Sequence, residues 1–334
     1  MRGDSTVIQV KNLQKLFKIK KRKPGFLGSI QSLVYAETDW IRAVDNISFE
    51  IGQGELVGYI GQNGAGKSTT IKMLTGILKP TSGEILVNGV DPSRDRKKNA
   101  FQIGVVFGQR SQLWMDLPVE ESFDLLRSIY KIDSAVYKQK IELFSDLLGL
   151  KDFFQQQARK LSLGQRMKAD LAASLLHSPK VLFLDEPTIG LDLLVKERVR
   201  TFIRQINEEE KVTIILTTHD VQDIEYLAGR IIIIDRGKIA YDGGISNFNR
   251  ILGNDSAVSV HFQIPVDLKT VPKPFEIKEK VSANNYIIRL PDGEPLSLLL
   301  EFFQSKAYPL QEINREKPEL GDAIKKMYAG REDE

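Results

Sequence analysis

Residues 61–68 read GQNGAGKS and match G-x-x-x-x-G-K-[ST] at every defined position. The apolar stretch ELVGYI precedes them, and TTIKMLTGIL follows with apolar residues near every third or fourth position. That order reads as strand, glycine loop and helix. It restricts the fold to an α/β class in which a strand delivers a loop onto a helix N-terminus. The glycines Gly61, Gly64 and Gly66, with Gln62, Asn63 and Ala65 between them, let backbone N–H groups curl around a polyphosphate. Lys67 then places a point charge on the β- and γ-phosphates. Ser68 offers a hydroxyl to Mg2+, and Thr69 a further phosphate contact.

Two more apolar runs end in chemically useful residues. In KVLFLDEPTIGLD, residues 180–192, a continuous apolar stretch suits a strand buried in a parallel sheet. Asp185 at its end is placed to hold Mg2+ through water, and Glu186 to polarise an attacking water as general base. In KVTIILTTHD, residues 211–220, His219 stands just past a strand rich in Val, Ile and Thr. Ligands of open α/β sheets bind at the carboxyl ends of strands. His219 is therefore expected to sense the γ-phosphate. His177, at a helix end, and His261, in the alternating stretch VSVHFQI, read as structural.

A fourth stretch, LSLGQRMKADLAASLL (161–176), carries a capping box, Ser162 and Gln165, ahead of an apolar-periodic run. A helix start offers free N–H groups and a positive dipole end, which suits a phosphate.

Taken in order, GQNGAGKST, VVFGQR, LSLGQ, VLFLDE, GLD and TTHD closely resemble the motifs of ATP-binding subunits of ABC transporters. The resemblance covers roughly residues 5–245. The wording of VVFGQRSQLWMDLPVEESF, and of 161–192, is similar to exporter-type subunits of the drug, sodium and polysaccharide extrusion group. The resemblance implies a P-loop NTPase ABC ATPase core with an antiparallel β subdomain, a helical subdomain over about 110–178, and ATP and Mg2+ as ligands. It implies two subunits paired head to tail, so that Ser162, Leu163, Gly164 and Gln165 read the γ-phosphate of ATP held by the other protomer. Leu163 stands where the family usually has glycine. Gln109 matches the glutamine that touches Mg2+ or water, with Gly108 where phenylalanine is usual. Asp192, in GLD, matches a loop that communicates across the dimer. Phe17 is the positional match for the aromatic that stacks on adenine, with Trp40 and Tyr35 as rivals.

The length of 334 residues suggests two or three domains. An ATPase domain is expected over 1–245, interrupted by a basic insertion at 18–40. A small α+β accessory domain is expected over 255–334. The insertion reads as a solvated arm or as a contact with anionic lipid or a membrane subunit. A net charge of +3 does not argue for a nucleic-acid partner, and the absence of cysteine excludes disulfides. No apolar run reaches a membrane span and no secretory leader is expected. A membrane role therefore comes through partners: separate permease subunits and a second ATPase protomer, most simply a homodimer. The expected place is the cytoplasmic face of the inner (plasma) membrane. The alternative is a soluble ABC ATPase acting on the ribosome or DNA. The single phosphate loop and the lack of a heptad insert weigh against it.

Overall fold

The computed structural model describes residues 6–20, 38–108, 110–252, 257–291, 294–316 and 320–329. Tyr35, Gln109 and most of the basic insertion lie outside them. The chain forms two compact units, residues 1–243 and 244–334.

The first unit contains two sheets. Strands β1 (Thr6–Lys20), β2 (Thr38–Gly52) and β4 (Ser82–Val87) pair antiparallel in the order β2-β1-β4. The other sheet holds β3 (Leu56–Ile60), β5 (Ile103–Phe107), β6 (Val181–Asp185), β7 (Thr213–Thr217), β8 (Arg230–Asp235) and β9 (Lys238–Gly244). Its order is β5-β6-β7-β3-β8-β9, and its pairings from β5 to β8 are parallel. Strands β3 and β7 are buried at every position, and β6 at all but Asp185. Burial on both faces is why these strands are uniformly apolar and show no alternation. Each such side chain contributes roughly 1.5–3 kcal/mol on leaving water. The antiparallel sheet packs Val10, Leu13, Ile47 and Phe49 into the same core as Tyr59, Ile71 and Phe183.

The β1–β2 ladder is longer than the sequence suggests. Lys18, Ile19 and Lys20 pair with Trp40, Asp39 and Thr38, so both ends of the insertion are strand.

The helices Val119–Tyr130, Ser134–Leu148 and Leu163–Leu175 fall within residues 110–178. Asp133 caps the second by accepting from the N–H groups of Ala135 and Val136, and Gly149 ends it at φ +67°. The third is buried from Met167 to Leu175 although it contains Lys168 and Asp170. Asp170 is satisfied locally: its Oδ1 accepts from Ser111 Oγ at 2.9 Å and from the Gln112 N–H at 3.0 Å. Burial nevertheless raises its pKa to about 6, against those hydrogen bonds.

His177 ends this region. Its ring stacks on Tyr130 at 3.9 Å, and its Nε2–H donates to the Ile103 carbonyl at 3.0 Å. Burial pulls its pKa down to about 4. A folded pKa below the unfolded value stabilises the fold above about pH 6.5. That contribution is lost as pH falls towards 4. Asp170 acts oppositely, because its raised pKa favours the fold at low pH and the benefit is lost as pH rises through about 6. The variant His177→Phe keeps the stack and loses the hydrogen bond, so it should be about 1 kcal/mol less stable at pH 7. Its urea midpoint should also fall less than the parent's between pH 7 and pH 4.5. Parallel pH curves would contradict this.

In the second unit the antiparallel order is β11 (Glu276–Lys280), β12 (Asn285–Arg289), β10 (Ala257–Phe262), β13 (Leu310–Glu316). Val258, Val260 and Phe262 point to a core with Leu299 and Phe303 of the helix Leu296–Ser305. His261 lies on the other face and accepts from Asn284 Nδ2 at 3.0 Å. Among the described residues no helix is long and apolar enough to cross a membrane.

Candidate functional site

Strand order brings the three strand ends together, since β6, β7 and β3 are neighbours. From β3 the chain enters the loop Gly61–Gly66 and then the helix Lys67–Leu74. Gly66 precedes that helix at φ +110°, and a methyl group there would lie 2.4 Å from the Ala43 carbonyl. Only glycine combines that conformation with that approach. The helix start has no side-chain cap. Its first N–H groups and dipole therefore face the loop, as an anion requires. Gln62, Asn63, Gly64 and Ser68 are exposed, Thr69 is partly exposed, and Ala65 is buried.

Lys67 is buried, and its ammonium donates to the carbonyls of Gly61 at 2.7 Å and Gln62 at 3.1 Å. Burial lowers its pKa, while the Glu186 and Asp185 carboxylates push it back up. A buried cation of this kind is favoured by an added polyphosphate anion, as it already is by the two acids.

Ser68, Asp185 and Glu186 line one cavity of about 290 Å³ with Lys72, Phe107, Gly108 and Arg110. Asp185 accepts from the Thr217 hydroxyl. The donors offered by Ser68 and Asp185 are hard oxygens, which suit Mg2+. Glu186 has its backbone at φ +58°, and His219 stands 2.7 Å from its carboxylate. Next to this pair, the Gly108 N–H donates to the Asp185 carbonyl at 2.8 Å. A methyl group at Gly108 would lie 2.4 Å from the Glu186 carbonyl. A glycine at position 108 thus has a physical reason: it lets the backbone there touch the end of β6.

Ser162 accepts from the Gln165 N–H at 3.2 Å, and Gln165 Oε1 accepts from the Ser162 N–H at 2.9 Å. This is the capping box read in the sequence. Gly164 lies against Val195, where a methyl group would meet Cγ1 at 3.1 Å. Leu163 is 42% exposed and lines a second cavity with Ile189 and Gly190. Asp192 caps the helix Leu193–Glu210 by accepting from the Val195 N–H at 3.0 Å.

Register separates the two described aromatics. Lys15 pairs with Val44, and after a bulge Leu16 pairs with Arg42 and Phe17 with Ile41. Phe17 therefore shares a sheet face with Lys15 and Val44, and Lys15 Nζ lies 5.3 Å from the Phe17 ring. Val44 Cγ2 would stand 3.5 Å from a methyl group at Gly66, so this face turns to the phosphate loop. Trp40 is on the opposite face, with Lys18 Nζ 5.9 Å from its ring.

Sequence reasoning missed Lys72 and Arg110 in the cavity. Their signals were only positional: one helical turn after Ser68, and one residue after Gln109.

Comparisons with known proteins give the family. A family model described as ABC transporter matches residues 44–189. The ABC transporter ATP-binding protein NatA of Bacillus subtilis is 32% identical over 207 residues, covering 62% of this chain and 84% of that protein. The probable multidrug ABC transporter ATP-binding protein YbhF of Escherichia coli is 37% identical over 215 residues, covering 64% of this chain and 36% of that protein. Among solved structures, the dimeric post-hydrolysis state of the ATP-binding cassette MJ0796, bound to ADP and Pi, is 26% identical. It has a TM-score of 0.58 and covers 71% of this chain and 98% of its own. The sheet order, the phosphate loop and these relatives together place the chain in the family of ABC transporter ATP-binding proteins, and its first unit is an ABC ATPase.

Proposed function

We propose that the chain powers a separate membrane permease, in the export direction, by hydrolysing MgATP between two copies of itself. The observation that carries the reading is the meeting of Ser68, Asp185 and Glu186 on one cavity, with buried Lys67 electrostatically tied to both acids. The roles follow from chemistry. Lys67 and the free N–H groups of its helix neutralise the phosphates. Phe17 packs on adenine, from the face of β1 that turns to the loop. Ser68 and Asp185 hold Mg2+, which when bound offsets charge on the phosphate oxygens. Glu186 takes a proton from water as its oxygen bonds to the γ-phosphorus and the bond to the β-phosphate oxygen breaks. His219 aligns Glu186 and meets the γ-phosphate. Gln109, outside the described residues, is assigned the contact with Mg2+ or the water that the resemblance implies.

The helix start at Ser162–Gln165 is assigned to the partner copy's γ-phosphate, and Asp192 to communication between copies. The dimeric cassette of MJ0796 supports the pairing. Likeness to the extrusion group, and the word multidrug in the name of YbhF, support export.

The test is copurification of the tagged chain from native membranes. A multi-helix membrane protein without its own phosphate loop should accompany it and stimulate its phosphate release. Recovery only with ribosomes or DNA would overturn the reading.

A further inference from the structure

Glu186 poses a mechanical question. A non-glycine residue at φ +58° is strained and persists only where its surroundings over-determine it. Its side chain must also be held against His219, which is 47% exposed and so gains little from packing. The backbone supplies one anchor, the Glu186 N–H donating to the Thr217 carbonyl at 2.9 Å. The remaining anchors converge on a carboxylate that none of the sequence motifs includes.

Asp223, in the helix Val221–Leu227, is fully buried. Its Oδ2 accepts from the hydroxyl of Thr188, two residues after Glu186, and from that of Thr218, immediately before His219, at 3.2 Å. Its Oδ1 accepts from Arg200 Nε at 2.5 Å, and Arg200 is itself buried. The Thr218 oxygen in turn accepts the Asp220 N–H at 3.0 Å, which fixes the backbone on both sides of His219. Asp220 is held from outside by Lys196 at 2.9 Å and Arg200 at 3.5 Å. One carboxylate thus ties the segment carrying Glu186 to the segment carrying His219.

We infer that Asp223 is a positioning residue for hydrolysis, holding Glu186 and His219 in one arrangement through Thr188 and Thr218. Being fully buried against these partners, it acts through them. Arg200 supplies the counter-charge that a buried carboxylate requires. The two threonines supply hydrogen bonds that such a group needs to be worth burying. This inference rests on the reading of Glu186 as the base.

The clean test is Thr188→Val, which removes one hydroxyl at nearly constant volume and leaves the Arg200 pair intact. Loss of one buried hydrogen bond at this point should lower kcat about tenfold. KM for ATP, and binding of a fluorescent ATP analogue, should stay within about twofold. Thr188→Ser restores a hydroxyl and should recover most of kcat. Asp223→Asn should lower kcat further and lower Tm, so its rate is read on protein shown to be folded. A folded Thr188→Val variant with wild-type kcat would overturn the role of Asp223. So would a loss that Thr188→Ser does not recover. Those failures are distinct from failure of the base assignment, which would appear as near-normal turnover in Glu186→Gln.

Discussion

In a Lys67→Ala variant, ATP affinity is expected to fall by about 10²-fold or more. Removing one partner of a buried, hydrogen-bonded charge pair costs about 2–5 kcal/mol, and each 1.4 kcal/mol is a tenfold change. Lys67 fits that description because it is buried, its ammonium is bonded to two loop carbonyls, and Asp185 and Glu186 act on its charge. The bonds to Gly61 and Gln62 hold the ammonium under the loop, where incoming phosphates exchange for those carbonyls. The fold should survive, since alanine is a good helix former and the helix end it occupies is uncapped in the parent. Titration with a fluorescent ATP analogue checks this. Wild-type affinity in a folded variant would remove Lys67 from the site.

The legibility of the site varied with the range of the interactions. The phosphate loop, Asp185–Glu186 and His219 were readable because each follows an apolar run directly. Parallel order then makes β6, β7 and β3 neighbours. The capping box at Ser162 was readable because its partners are three residues apart. The β1–β2 ladder was not, because bulges break its alternation and Lys18 and Lys20 look like solvated charge. Its register matters, since a one-residue slip would put Phe17 and Trp40 on the same face. Gly108 was read as a departure from a pattern, yet its meaning is a backbone approach to Glu186 that leaves no compositional trace. Asp223 was invisible for the same kind of reason. Its partners Thr188 and Arg200 lie 35 and 23 residues away, and ordinary helix spacing hides the acid among exposed ones. Asp170 had a faint signal, as an acid in an Ala- and Leu-rich helix. Only the fold shows that it holds Ser111 and Gln112, just after Gln109.

The largest effect is expected for Glu186→Gln. The amide is nearly isosteric, so the left-handed backbone and the contact with His219 are retained. Lys67, Ser68 and Asp185 are untouched, so MgATP should still bind. An amide does not take a proton from water, and loss of a general base slows the chemical step by about 10²–10⁴-fold. ATP would then persist in the site. If each nucleotide also meets the partner's Ser162–Gln165 helix start, bound ATP stabilises the pair by mass action. Leu163 does not prevent this, because the capping box takes up the Ser162 and Gln165 N–H groups but not those of Leu163 and Gly164, whose direction does not depend on the side chain. Its exposure leaves an apolar side chain at the surface that would close against the other copy.

The most direct measurement is light scattering of Glu186→Gln with and without MgATP, paired with phosphate release from the same sample. The account predicts a monomer without nucleotide, a dimer with MgATP, and release slowed at least about 10²-fold. A variant that stays monomeric with saturating MgATP, or that turns over at the wild-type rate, would contradict it.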